Sequence, residues 1–401
     1  MHALPPFAGS AVNSDRRDAQ TGQGYRIGSR GAILAGWPPP EGALMSAITI
    51  TEVVIPASLD APDADEFLAC VELRNIVNRF DSGTDDNLFT AAELLPGWQK
   101  TSFEPKRLFA ARLDGRLVGR GIFETRTDEA ADTAWMHGEV LPDARGHGVG
   151  EALARHLEAV ALDEGRTRAI VYAPSWKTGG IRIPAPTGFG SVPAGTPEVR
   201  LLQSMGYRLE QVERGSRLTL PSPELPELLQ AAREAAGPDY RVHTWSGATP
   251  PEWREDIAHL LTRMSTDAPT AGLEEPEDPW TVERLLEDEA LEASSPRTPV
   301  IAAVEHVPTG RLVGFTELTV PAESDRPAAQ EDTIVLREHR GHRLGMLLKA
   351  ANLEWLEQVS PGHPSVITYN AEENRHMLAV NEALGFVPFV YEGAWRKDLS
   401  R

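Results

Sequence analysis

The chain has 401 residues, 41% hydrophobic and 24% charged, which is enough apolar material for more than one core in an ordinary globular composition. Its formal charge of −20 excludes a surface that neutralises nucleic-acid phosphates along its length, although a local basic pocket for one small anion is still compatible. Cys70 is the only cysteine, so an intramolecular disulfide and a thiolate zinc cluster are both excluded; the residue reads as buried filler, and its solitude suits the cytoplasm.

No apolar run approaches the roughly 20 residues of a membrane-spanning helix, and the N-terminus has no export signal, so no membrane association is expected. Residues 1–47 mix Gly, Pro, Ser, Arg and Asp without a sustained period and read as a disordered leader, with Met45 a candidate true start. A strand-like run, Ile48-Thr-Ile-Thr-Glu-Val-Val-Ile55, follows. A helix is predicted over 66–80, with Phe67, Cys70, Val71 and either Ile76 or Val77 inward. The alternating segment 108–119 turns at Asp114-Gly115, a strong two-residue hairpin signal. The strand Trp135-Met-His-Gly-Glu-Val140 runs into Pro142 and the bend Arg145-Gly-His-Gly-Val-Gly150, after which Leu153, Leu157, Val160 and Ala161 supply a buried helical stripe. A helix-strand element containing Leu201-Leu-Gln-Ser-Met-Gly-Tyr207 closes this pass, and residues 221–237, with a helix over 224–236, form a connector.

The same order then recurs. A hairpin joins Pro299–Val304 to Arg311–Leu318, a second bend reads Arg340-Gly-His-Arg-Leu-Gly345, its helix turns Leu344, Leu348, Ala351 and Trp355 inward, and Val380-Asn-Glu-Ala-Leu-Gly-Phe386 closes the pass. Arg116 and Arg311 lie 195 positions apart (311 − 116), as do Arg145 and Arg340 (340 − 145). So long a period marks a duplicated domain, over 48–220 and 238–401, and not a solenoid. Between its bend and its closing glycine the first copy carries about 16 more residues than the second, most simply within 175–197. They are either a tolerated surface insertion or a lid beside a binding site.

Each bend has the chemistry of an anion site. The first amides of a helix lack internal partners, the helix dipole places about half a positive charge there, and glycines let a phosphate approach the backbone. Arg145 adds a cation. In the second copy Arg343 replaces Gly148, either crowding the loop or supplying another cation near a phosphate. Other phosphate motifs fit poorly: the spacing is not that of a dinucleotide fingerprint, and no Gly-Lys-Ser/Thr is present. Gly-x-Ser-x-Gly and His-Glu-x-x-His are absent as well, leaving hydrolase and zinc-protease readings without an anchor.

Both bends resemble the acetyl-CoA motif of the GNAT N-acetyltransferase superfamily, Gln/Arg-x-x-Gly-x-Gly/Ala, between its fourth strand and third helix. Arg145, Gly148 and Gly150 match it, and Arg340 and Gly345 match with Arg343 as a departure. The tandem arrangement is similar to actinobacterial double-GNAT proteins, distantly to mycothiol synthase. The resemblance implies an α/β fold of the α+β mixed-sheet kind: two tandem GNAT domains, each a mostly antiparallel sheet with a splayed strand pair and flanking helices. It also implies acetyl-CoA as co-substrate, no metal, and direct attack of an amine on the thioester.

On that resemblance, Gly138, Glu139 and Val140, with Thr333, Ile334 and Val335, are expected along the pantetheine arm and thioester. Gly146, His147, Gly148, Val149, Gly150 and Glu151, with Gly341, His342, Arg343, Leu344, Gly345 and Met346, are expected around pyrophosphate, beside Arg145 and Arg340. Asn374 resembles the family's asparagine near the coenzyme and reads equally well as a helix cap. The expected base is a carboxylate or histidine on the fourth strand: Glu331 or Asp332 in the second copy, His137 or Glu139 in the first. Many members place a tyrosine four residues before the last Gly-Phe/Tyr pair as acid; here Leu202 and Asn381 stand there, so the acid is unidentified. The first copy has the fuller glycine pattern and the second the richer polar apparatus, which assigns transfer to the second. The expected acceptor is a small-molecule primary amine, with residues 74–86 and 264–278 as pocket walls; the oligomeric state is not legible. A non-catalytic acyl-CoA sensor or scaffold, or a protein-lysine acetyltransferase, are the alternative readings.

Overall fold

The computed structural model describes residues 47–99, 102–127, 132–175, 179–267, 269–274 and 277–400; the expected leader and Met45 lie outside them, apart from Ala47. Strand β1 (Ile48–Val53) leads to helices α1 (Asp65–Ser82) and α2 (Ala91–Gln99) and then to β2 (Lys106–Leu113), β3 (Arg116–Glu124) and β4 (Thr133–Val140). Helix α3 (Val149–Asp163), β5 (Arg168–Ser175), a small hairpin of β6 (Arg182–Pro184) and β7 (Ser191–Pro193), α4 (Pro197–Ser204) and β8 (Arg208–Thr219) follow. Helix α5 (Leu225–Ala236) connects to β9 (Tyr240–Ser246), α6 (Arg254–Asp267), α7 (Val282–Glu292), β10 (Thr298–His306), β11 (Arg311–Val320) and β12 (Ala328–Val335). Helix α8 (Leu344–Val359), β13 (Ser365–Ala371), α9 (Arg375–Leu384) and β14 (Val387–Asp398) complete the chain. No described helix is long and apolar enough to cross a membrane.

Local chemistry accounts for the punctuation. The hairpin between β2 and β3 turns through two left-handed residues, Asp114 and Gly115, a conformation whose twist matches that of the flanking strands. Helix α1 ends at Gly83, also left-handed, whose amide closes on the Arg79 carbonyl. Of the alternatives on α1, Val77 is buried and Ile76 exposed. Helix α3 buries one stripe, Val149, Leu153, Leu157 and Ala161. Helix α8 buries more of its circumference because α5 packs on it, adding Leu229, Ala232 and Ala236 to the same apolar cluster.

All the long strands join one twelve-stranded sheet, in the order β1-β2-β3-β4-β5-β14-β8-β13-β12-β11-β10-β9. The two copies exchange their last strands. Strand β8 leaves the first copy to pair with β13, from Thr219 against Ser365 to Glu213 against Ala371. Strand β14 leaves the second copy to pair with β5, from Asp398 against Arg168 to Tyr391 against Ser175. Trp395 of β14 is thereby fully buried in the first copy's core, among Ala169, Leu202, Tyr207 and Leu209. The extra residues of the first copy form the β6–β7 hairpin; Val192 and Ala185 are buried in that same cluster, and Gly190 packs against Val212 of β8. They brace the seam of exchanged strands.

Within each half the one parallel pair among the described residues parts early. Strands β4 and β5 are bonded from Thr133 against Arg168 to Met136 against Val171, and β12 and β13 only at Ala328 and Ala329. Beyond those points the strands diverge and open a cleft.

Trp395→Ala should cost about 3–5 kcal/mol, the range for emptying a buried indole site. Urea unfolding followed by far-UV circular dichroism should show one shifted transition; two separate transitions would contradict a shared sheet.

Candidate functional site

The cleft of the first half has a volume of about 500 Å³ and is walled by His137, Gly138, Glu139 and Val140 of β4 and by Arg145, Gly146, Gly148, Gly150 and Glu151 of the bend and α3. Asn78 and Asp81 of α1 close one side. The cleft of the second half, ≈ 700 Å³, is walled by Thr333, Ile334, Val335, Arg340, Gly341, Arg343, Leu344, Gly345, Met346 and Asn374. Three residues expected with them point elsewhere. Val149 is buried in an apolar cluster, the His147 ring contacts the Arg145 carbonyl at 3.0 Å, and the His342 ring lies 5.2 Å from that of Tyr240.

The two bends have one backbone shape. Gly146 and Gly148 are left-handed in the first, Gly341 and Arg343 in the second, and neither helix has a side chain capping its first amides. Those amides are open to an anion. Arg343 therefore keeps the glycine conformation at a steric cost of about 1–2 kcal/mol and lines the cleft, where it adds a cation.

The bend arginines are pinned. Arg145 donates to the Val140 carbonyl at 3.1 Å and makes two 2.7 Å bonds to Asp81. Arg340 donates to the Val335 carbonyl at 3.0 Å and to Asp267 at 2.8 Å, and Arg263 and Arg337 reach the same carboxylate. Each arginine thus ties its bend to the end of the diverging strand and to a helix C-terminus. The fields differ: Arg145 stands among Asp81, Glu139, Glu151 and Glu198, whereas Arg340 and Arg343 share their cleft with Asp267 alone among carboxylates. Electrostatically the second cleft is the better anion site, although the first has the fuller glycine pattern.

The catalytic candidates separate likewise. Glu139 is buried, ion-paired with Arg120, bonded by Asn78 at 3.1 Å and 3.7 Å from His137 Nε2. Burial alone would raise its pKa, but Arg120 and His137 outweigh it and hold the carboxyl at about 2. A carboxylate so committed is a poor proton acceptor at neutral pH.

In the second half β12 carries a bulge. Thr316 pairs with Thr333 and Leu318 with Gln330, so Glu317 on β11 stands opposite two residues, Glu331 and Asp332. Consecutive residues of a regular strand face opposite ways; the bulge lets both carboxylates line one cavity, of about 520 Å³, with Glu317. The first half pairs Gly119–Glu124 with Trp135–Val140 without a bulge, and the positions matching Glu331 and Asp332 hold Met136 and His137. Gln330 secures the bulge by donating to the Glu317 carbonyl at 2.6 Å and to Thr316 Oγ1 at 2.9 Å. Glu331 accepts a 2.7 Å bond from Thr319. Both carboxylates keep some solvent contact, yet each sits low in the cleft, where burial raises its pKa; for Glu331 the Thr319 hydroxyl and Arg297 partly offset this.

Asn374 caps α9, accepting from the Met377 amide at 3.3 Å, and also lines the cleft of the second half. Leu202 is core, and Asn381 is buried with its amide on Asn370 at 2.7 Å, so neither position presents an acid. Among the described residues no group of three or more His, Cys, Asp or Glu is placed to hold a metal ion. The sequence reading missed Gln330, Glu317, Arg120 and the anchors Asp81 and Asp267. Glu317 and Arg120 left a local signal, each as a charge inside a mostly apolar strand.

Residues 71–178 match the Acetyltransferase (GNAT) family. No curated protein sequence matches the chain. Among solved structures, a tandem GNAT protein from the clavulanic acid biosynthesis pathway, in its form without acetyl-CoA, is similar with a TM-score of 0.68 and 23% identity, over 88% of this chain and 99% of that one. A GCN5-related N-acetyltransferase from Sphaerobacter thermophilus is similar with a TM-score of 0.56 and 14% identity, over 88% and 96%. At these identities the likeness is one of fold.

Two expected outcomes follow from the loops and the buried pair. Glu139→Gln should destabilise the protein by about 3 kcal/mol, since Arg120 is left buried without its charge partner. Because the folded pKa lies below the ordinary 4.5, wild type should hold this increment above that value and lose it as pH falls towards about 2, which denaturant titrations at several pH values would read. Arg343→Gly should raise stability by about 1 kcal/mol through relief of the left-handed residue, measured by thermal unfolding.

Proposed function

We propose, on the premise that a GNAT acetyltransferase domain occupies residues 71–178 and that the described chain has a tandem GNAT fold, that the protein transfers acetyl groups from acetyl-CoA to a small-molecule primary amine, and that its second half performs the transfer. The observation that carries this assignment is the bulge bringing Glu331 and Asp332 together in one cavity where β12 leaves β13.

The residues of the second half suit the substrates. The amides at the start of α8, with Arg343, answer the charge of a pyrophosphate, and the diverging edge Thr333–Val335 offers backbone groups to an extended pantetheine arm. Glu331, or Asp332, directly or through one water, takes a proton from the acceptor ammonium. The freed lone pair attacks the acetyl carbonyl to give a tetrahedral intermediate; as it collapses the C–S bond breaks, and the second proton of the nitrogen passes through water to the departing thiolate. A backbone amide of the diverging strand aimed at the carbonyl oxygen would stabilise the charge that develops there.

The first half lacks the bulge, commits Glu139 to Arg120 and surrounds its bend arginine with carboxylates. Its proposed role is structural, as a braced half of the shared sheet. The sensor reading draws support from Leu202 and Asn381 in place of a tyrosine acid, but a thiolate is a good enough leaving group to dispense with one.

Glu331→Gln combined with Asp332→Asn should lower kcat by about 10²–10⁴ while acetyl-CoA still binds, measured by free-thiol release on an amine panel beside calorimetry. Since burial raises both carboxyls, wild-type kcat should climb with pH along a limb displaced above the usual carboxylate range. Unchanged turnover in the double variant would sink the assignment, and binding without turnover on any amine would favour the sensor.

A further inference from the structure

The bulge that brings Glu331 and Asp332 together is held by side chains found in one half only. Between the pair Thr316–Thr333 and the pair Leu318–Gln330, the register of β11 and β12 skips Glu317 on one strand and Glu331 and Asp332 on the other. Buried backbone groups in such a gap lose their regular ladder partners and need others. Strand β12 has its last ladder contact with β13 at Ala329, so where it bulges it is paired on one side only.

Three buried side chains, Thr316, Gln330 and Thr333, meet that need. The Gln330 amide donates to the Glu317 carbonyl at 2.6 Å and to Thr316 Oγ1 at 2.9 Å, which uses both of its hydrogens. Thr316 Oγ1 donates to the Asp332 carbonyl at 3.2 Å and lies 2.7 Å from Thr333 Oγ1. With Thr333 donating across that contact, the Thr316 hydroxyl fills its one donor and two acceptor sites. A buried network so completely satisfied favours one arrangement of the chain over any slipped one. In the first half Gly121 stands opposite Gly138 where Thr316 stands opposite Thr333, and the strands there pair without a bulge. Slippage would matter because side chains alternate along a strand. Moving the extra residue elsewhere restores the alternation at 331–332 and turns one carboxylate to the other face.

We propose that Gln330 is a positioning residue for the acetyl transfer, acting with Thr316 as a clasp that keeps Glu331 and Asp332 on one face and so sets the geometry of proton removal from the acceptor amine. This rests on the transferase reading above. Gln330 is not among the residues lining the cavity at Glu331 or the cleft of the second half, so it acts through the two carboxylates and not on a substrate.

Gln330→Met keeps the length of the side chain and removes its donors, Thr316→Val removes the hydroxyl at nearly constant volume, and Thr316→Ser retains it. Gln330→Met and Thr316→Val should each lower kcat by about 10- to 100-fold, the cost of displacing a reacting group by about 1 Å, with acetyl-CoA binding by calorimetry retained. The rising limb of the pH profile should move down towards the usual carboxylate range in both. Glu331 is raised first by burial and lowered by Thr319 and Arg297, and Asp332 raises it further only while the two share the cavity. Thr316→Ser should restore rate and limb together. Added to Glu331→Gln with Asp332→Asn, Gln330→Met should lower the residual rate by less than about twofold, because the clasp has nothing left to position. A loss there as large as in the wild-type background would mark a general structural role and overturn the inference, as would a Gln330→Met enzyme with wild-type kcat and limb. Either result leaves the transferase reading intact, whereas unchanged turnover in the carboxylate double variant defeats that reading and the positioning role with it. Should Gln330→Met fail to fold, Thr316→Val against Thr316→Ser decides the question on the same two backgrounds.

Discussion

A parallel strand pair that parts after a few residues leaves two rows of backbone amides and carbonyls without their ladder, and the whole molecule is arranged around that constraint. On one side of each parting the gap becomes a cleft whose polar backbone is available to a ligand. On the other side β5 and β13 need new partners, and each half supplies the other's: β14 reaches β5 and β8 reaches β13. Because β8 and β14 also pair with each other, the exchange leaves no open edge at the centre of the sheet. The inserted β6–β7 hairpin sits over this seam, which explains why the first copy bears it without disturbing its own cleft.

Duplication gave both halves the same cradle, and side-chain exchanges made the cradles unequal. Arg145 and Arg340 make the same bond to the end of the diverging strand and the same kind of bond to a helix-terminal carboxylate, so they act first as anchors of the bend. What separates the clefts is the charge around those anchors and the inserted residue on β12. One residue more on a strand changes which side chains share a face, and here it converts an alternating strand into a pair of adjacent carboxylates. In the first half the strand carboxylate Glu139 is instead held in a buried ion pair with Arg120.

The seam between the halves also shapes the chemistry. Glu93 on α2 takes Arg297 and Arg326 from the second half, and Arg284 of α7 takes Glu104 from the first. These cross-links hold α2 over the cavity at Glu331 and divert its cations, which leaves the lining predominantly acidic. A cavity of that character belongs to the pair of domains and to neither alone.

By itself the sequence determined the element order, the duplication and the shape of the two bends, because each depends on local rules. Asp114-Gly115 prescribes a turn, Leu153, Leu157 and Ala161 fall on one helical face, and the 195-residue register survives between Arg116 and Arg311. It also brought forward Glu331 and Asp332 as candidates side by side on one strand. Tertiary structure alone decided that they face the same way, since a bulge is a property of pairing between β11 and β12, and no single strand carries its signature. It likewise decided that Glu139 is neutralised by Arg120, that Arg145 is held by Asp81, and that the last strands are exchanged. Each of these is a contact between residues distant in the chain, settled by which partners come within reach once the halves close on one another.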